Sequence, residues 1–261
     1  MRLPVWLVTI MTPYFLTIVA IGVIVAGFVQ GLSGFAFSLV SMSFWAWFIE
    51  PHLAAAMAVF GGFIGQWVSV FSVRRGFNFR LLWPFVLGGL VGVPVGTLIL
   101  PYLDVHVFKL ALGIMLVVWC PAMLMSQKLP RISAGPVADG TIGLIGGVMG
   151  GLGGFSGTVP TLWCTLRGFE KDTQRSIIQN FNLGMLSVTT LAYILTGVIT
   201  MEMLPLLAMI VPMMLIPTVL GARLYLGISE ATFRKIVLGL LTASGGALLA
   251  SSVPHLLQRG S

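Results

Sequence analysis

Two stretches of the chain carry glycine and hydroxyl residues in one shared pattern. Gly27-Phe-Val-Gln-Gly31-Leu32-Ser33-Gly34-Phe35 aligns with Gly147-Val-Met-Gly-Gly151-Leu152-Gly153-Gly154-Phe155 at an offset of 120, and five of the nine positions are identical. Glycine tolerates the backbone conformations that end a helix and lets backbone approach a ligand closely. A helix that restarts just after such a break presents N–H groups and a positive dipole end, which suits an anion. Ser33, Ser38, Ser156, Thr158 and Thr161 place hydroxyl groups beside the two breaks. Further on, Gln179, Asn180, Asn182, Ser187, Thr189, Thr190 and Tyr193 stud one segment, and amides offer donors without a fixed charge. Asn180 and Ser187 lie a heptad apart and share a helix face. Arg175 opens that segment and adds a positive charge. The candidate anion-binding residues are therefore Gly31, Ser33, Gly34, Gly151, Gly153, Gly154, Ser156, Thr158, Asn180, Asn182 and Arg175.

Two other readings of the same residues carry different consequences. Gly27, Gly31 and Gly34 also have the spacing of small residues that let helices pack closely. Two copies, each followed by a short apolar segment, favour a binding site over packing alone. Gly31-Leu-Ser33-Gly34 and Gly154-Phe-Ser156-Gly157 also match a short pattern seen around intramembrane serine nucleophiles. A nucleophilic serine needs a base, yet His52, His106 and His255 all fall at segment ends. A serine hydrolase stays the alternative outside transport, and the reading adopted is not an enzyme. No Cys/His cluster marks a metal site, and no cofactor is expected.

The elements that must hold these residues are membrane helices. Of the 261 residues 57% are hydrophobic and 8% charged, and the mean hydropathy is +1.04. A soluble domain of this composition would expose large apolar patches, whereas apolar runs of about 20 residues span a bilayer as helices. The net charge of +7 arises from short basic clusters between apolar runs, with no basic face for a phosphate backbone. A nucleic-acid partner is not indicated. Cys120 and Cys164 sit inside apolar stretches and read as buried free thiols. The N-terminus, with Arg2 before a run broken by Pro4 and Pro13, does not read as a cleaved signal peptide.

Ten apolar segments follow: about Pro13–Gln30, Phe35–Phe48, Leu53–Val73, Leu82–Leu100, Val107–Met125, Val137–Gly150, Phe155–Leu166, Ser176–Thr196, Leu204–Leu226 and Ala231–Ser251. The second and seventh are too short to cross a ~30 Å core at ~1.5 Å per residue. Glu50 and Glu170 keep the offset of 120, and Pro84 with Pro205, Gly96 with Gly221 and Phe108-Lys109 with Phe233-Arg234 match after small gaps. The expectation is two five-segment repeats: residues 1–126, a cytoplasmic linker over 127–136, and an inverted second repeat over 137–261. Each repeat has a glycine-rich broken-helix hairpin and three full spans. If the hairpins enter and leave on one side, Arg74, Arg75, Arg80, Lys128, Arg131, Arg167, Lys171, Arg175, Arg223, Arg234 and Lys235 fall on one face. Arg2, Lys109 and Arg259 fall on the other. Lysine and arginine mark the cytoplasmic side, so both termini are expected in the periplasm. If the glycine-rich pairs crossed the membrane fully, that alternation would break. No carboxylate falls at the middle of a confident span, which argues against a proton relay of the usual kind.

The duplicated G-x-x-x-G-L-x-G-F core, the Gly157-Thr-Val-Pro-Thr-Leu run and the polar eighth segment resemble the TauE/SafE family of membrane transporters, from about Ile18 to Ser251. The resemblance implies a multi-pass protein of the bacterial inner membrane that exports sulfite or a small organosulfonate. The first copy departs from the second at Ala36-Phe37, where its twin reads Ser156-Gly157, and its hairpin is accordingly less polar. The expected mechanism is alternating access around a midplane site, with a passive anion channel as the alternative within transport. The expected partners are the small anion and the lipid bilayer. Small apolar surfaces on almost every segment leave the oligomeric state unreadable.

Overall fold

The computed structural model describes residues 12–72, 78–126, 130–224 and 230–259, without the side chains of 70–72, 224, 230–234 and 253–259. Arg2, Arg74, Arg75 and Lys128, the ends of the third and ninth predicted segments, and the first part of the predicted linker therefore lie outside the described residues, as do the Arg234 and Arg259 side chains. The described chain is all helical: α1 (Pro13–Ser33), α2 (Phe37–Trp45), α3 (Pro51–Ser72), α4 (Phe79–Ile99), α5 (Val105–Met125), α6 (Pro136–Gly153), α7 (Thr158–Leu166), α8 (Lys171–Leu195), α9 (Leu204–Leu224) and α10 (Glu230–Arg259). Each predicted segment corresponds to one of these helices.

The boundaries have local causes. Thr12, Asn78 and Asp104 accept hydrogen bonds from Phe15, Leu81 and His106 N–H and so cap α1, α4 and α5. Glu50 accepts from the His52 and Leu53 amides at the start of α3, both at 3.4 Å. Pro13 and Pro136 stand in the first turns of α1 and α6, where the missing N–H costs nothing. At the other ends of these two helices, Gly34 and Gly154 take the left-handed conformation, each at φ 81°. A side chain is rarely tolerated there, and both helices stop.

Six stretches are long and apolar enough to cross a membrane: Pro13–Ser33, Pro51–Ser69, Phe79–Tyr102, Val105–Met125, Met201–Arg223 and Lys235–Ser252. Helix α8 has 25 residues but is not among them, because its polar stripe lowers its hydropathy. The short α2 and α7 have nine residues each, about 14 Å at the ordinary helical rise. Leu98, Val118, Ile216 and Leu240, on four of the long helices, are all more than 60% exposed, the outward face expected where lipid is the solvent.

The packing is reciprocal. Helix α4 packs along α6, and α9 packs along α1; α5 pairs with α10, and α3 with α8. Glycine makes the close pairs close. On α4, Gly88, Gly92 and Gly96 face the α6 backbone at Gly140, Leu144 and Val148, while Gly143, Gly147 and Gly151 of α6 face Phe85, Gly89 and Val93. A methyl group at any of them would strike neighbouring backbone. With lipid on the outside, such approach supplies the dispersion contacts that hydrophobic burial supplies in water.

Candidate functional site

Each long broken helix packs against the short helix that follows it. Trp45 near the end of α2 donates its indole N–H to the Ile18 carbonyl in α1 at 3.4 Å and covers Gly22. In the second unit, Asp139 in the first turn of α6 accepts from Trp163 Nε1 at 2.7 Å and from Arg167 at 2.9 Å. The Ile132 amide also donates to the Leu166 carbonyl at 2.8 Å, tying the segment before α6 to the end of α7.

The two breaks converge on one turn of α8. A Cβ on Gly34 would stand 2.8 Å from Gln179 Nε2, and one on Gly157 would stand 2.5 Å from Asn182 Nδ2. Gln179 and Asn182 are three residues apart, so they share that turn. Gly154 faces the Ser38 hydroxyl, in the first turn of α2. Gln66 of α3 donates to the Gly34 carbonyl at 2.6 Å. From α5, Trp119 donates to the Thr158 carbonyl at 2.7 Å, and from α8, Tyr193 donates to the Gly151 carbonyl at 2.8 Å. These side chains hold the irregular backbone in the protein interior, where each polar group needs a partner.

The predicted site residues divide by this geometry. Gly34, Ser156 and Asn182 come together at the α8 turn, where Ser156 donates to Asn182 Oδ1 at 2.8 Å, and Gly154 faces Ser38 and Val59. Gly153 lies beside them, against the Phe155 ring and Met42. Gly31 and Gly151 do not face the break: Gly31 rests on the α9 backbone at Thr218 and Ala222, and Gly151 on α4 at Val93, Gly96 and Thr97. Ser33 donates to the Val29 carbonyl at 2.8 Å and accepts from the Phe35 and Ala36 amides, so it holds the first turn together. Thr158 donates to the Phe155 carbonyl at 2.7 Å in the second. Asn180 donates to the Ser176 carbonyl one turn back, and Arg175 is half-buried in the second turn of α8.

The first break differs from the expectation of free N–H groups in one respect. Phe35 and Ala36 donate to Ser33, and Phe37 donates to Gln30 Oε1 at 3.0 Å. A buried donor left unmade is expensive, so the chain supplies its own acceptors.

Three participants were missed by the sequence reading. Gln30 is one, and its signal was an amide inside an otherwise apolar run with glycine, Gly150, at the matching position of the second copy. Asp139 with Arg167 is another: an acid 4% exposed, paired with an arginine that lies 5.2 Å over the Phe169 ring. The third is Trp119, which reads in sequence as one more apolar residue of α5. Cys120 and Cys164 are buried free thiols.

No curated protein and no solved structure matches the chain. A family model does: that of the sulfite exporter TauE/SafE family matches residues 18–248, a span that runs from α1 to α10 and includes both breaks and the α8 turn between them. Over that length, and with helices able to cross a bilayer, the chain belongs to the sulfite exporter TauE/SafE family of membrane transporters.

Proposed function

We propose that the protein exports a small sulfur oxyanion, sulfite or a small organosulfonate, across the bacterial inner membrane by alternating access. The observation that carries this reading is that the two left-handed helix breaks, from matching places in the chain, reach one turn of α8, the first through Gly34 at Gln179 and the second through Gly157 at Asn182. Broken helices in corresponding halves are the usual setting of a transporter site near the bilayer midplane. The anion sits where the breaks meet, lined by Gly34, Gly154, Ser156 and Asn182. Gly31 and Gly151 set the helix packing that holds the breaks in place, and Arg175 draws anions towards the cytoplasmic mouth.

In this reading residues 1–126 and 137–261 are two inverted repeats, the α1–α2 and α6–α7 hairpins are re-entrant from opposite faces, and both termini are periplasmic. The reciprocal packing of α4 on α6 and of α9 on α1 supports a two-fold relation between the halves. The side-by-side ends of each hairpin, at Trp45 with Ile18 and at Asp139 with Arg167, support re-entry. An inside-negative potential favours efflux of an anion by about 2.3 kcal/mol per charge per 100 mV, so a uniporter suffices.

Uptake of radiolabelled sulfite into liposomes holding the purified protein tests the proposal, with sulfate, taurine and chloride as competitors. Saturable, voltage-sensitive flux with counterflow is the expected result. Flux that does not saturate would mean a passive channel, and no anion flux from folded protein would overturn the reading.

A further inference from the structure

At the breaks four carbonyls have hydrogen-bond donors, while two carboxamide N–H groups have no partner among the described residues. The Gly34 carbonyl accepts from Gln66 and the Phe155 carbonyl from Thr158. The Gly157 carbonyl accepts from the Thr161 hydroxyl at 2.5 Å, and the Ala36 carbonyl from the Val40 amide. Two carboxamides are engaged only through their oxygens: Gln30 by the Phe37 amide, and Asn182 by the Ser156 hydroxyl. Gln30 Nε2 and Asn182 Nδ2 are buried with no hydrogen-bond partner among the described residues, and both side chains belong to residues only 1% exposed. The orientation of Gln30 is settled by its neighbour, because a backbone N–H can only donate and the amide oxygen must face it. A buried N–H with no acceptor is costly, which makes the pair a specific target for a ligand.

The two amides are not symmetry copies. At the offset of 120, Gln30 corresponds to Gly150 and Asn182 to Gly62. A Cβ on Gly150 would stand 3.1 Å from Ser156, and one on Gly62 would stand 3.0 Å from the Ser38 hydroxyl. Each half thus places one carboxamide at the start of its short helix and a glycine at the other position, so one amide comes from a broken helix and the other from a long one.

Resting on the anion-transport reading, we propose that Gln30 and Asn182 donate directly to the transported anion, and that the site takes ligands that only accept hydrogen bonds while rejecting those that carry an ammonium group. An oxyanion or sulfonate oxygen completes both amides. The ammonium of an aminosulfonate would need acceptors, and the Gly34, Ala36, Phe155 and Gly157 carbonyls already have donors.

The test is binding to purified full-length protein in lipid nanodiscs, with methanesulfonate as probe because it stays ionised from pH 5 to 9. Gln30→Glu and Asn182→Asp keep the shape and the oxygen that accepts from Phe37 or Ser156. They retain a donor only while the new carboxyl is protonated. Wild-type binding is expected to change little with pH. Each variant should bind near pH 5 and lose at least about 10-fold in affinity by pH 8. Propanesulfonate should also bind the wild type at least about 10-fold more tightly than taurine, which differs by the ammonium group. Variants that bind at pH 8 as the wild type does, or taurine that binds as well as propanesulfonate, would overturn the inference and leave anion transport standing. A wild type that binds no sulfonate and moves no sulfite would overturn both.

Discussion

Gly34 and Gly154 stand 120 residues apart and share one backbone geometry: φ is 81° at both, and each amide donates at 2.7 Å to the carbonyl four residues back, Gln30 and Gly150. A left-handed residue costs about 1–2 kcal/mol when it carries a side chain, and at Gly154 that side chain would also meet Ser38. Gly154→Ala and Gly34→Ala are therefore expected to abolish sulfite flux in proteoliposomes while membrane insertion and monodisperse elution persist. Normal flux in both variants would return these glycines to a packing role.

Gly92, Gly147 and Gly151 predict the opposite pattern. Their Cβ positions fall on backbone atoms of the neighbouring helix, so relief would require α4 and α6 to separate. Gly147→Leu is expected to destabilise the whole protein, by roughly the 1–3 kcal/mol of overpacking or more. Thermal unfolding in detergent should show a lowered midpoint together with reduced yield, rather than inactive but stable protein.

Asp139 and Arg167 form the foot of the second hairpin, at 6% and 15% side-chain exposure. Removing one member of a buried pair leaves an uncompensated charge and costs about 3–5 kcal/mol. Asp139→Asn should lower the unfolding midpoint markedly, and Asp139→Asn combined with Arg167→Gln should recover part of the loss. A double variant no better than the single one would mean that the pair does not act as a unit.

The re-entrant, inverted arrangement is checked by labelling single cysteines after Cys120 and Cys164 are replaced by serine. Tyr14 and Phe48 are exposed at the two ends of the first hairpin, and Val137 and Glu170 at the ends of the second. An impermeant thiol reagent applied from the periplasm should label cysteines at positions 14 and 48. Those at 137 and 170 should react only from the cytoplasm. Labelling of 14 and 48 from opposite faces would show that the first glycine-rich pair crosses fully.

The amino-acid sequence by itself determined the membrane class, the ten helices seen among the described residues and the places where two of them break. Hydropathy reports directly on the solvent a segment needs, and duplicated glycines at a fixed offset report on local backbone geometry. It also pointed to Gly34, Gly154, Ser156 and Asn182. It did not separate these from Gly31 and Gly151, because a glycine at a turn and a glycine under a neighbouring backbone look alike in one dimension. Only the tertiary structure decided that, by laying α9 over Gly31 and α4 over Gly151 while leaving Gly34 facing Gln179 of α8 and Gly154 facing the Ser38 hydroxyl. It likewise decided which polar side chains are already used: Ser33 and Thr158 are taken by their own turns, whereas Gln30, an unremarked amide in an apolar run, keeps a donor to spare. Hydrogen-bond satisfaction depends on what lies across from each atom, and that is set by helix packing rather than by residue type or spacing.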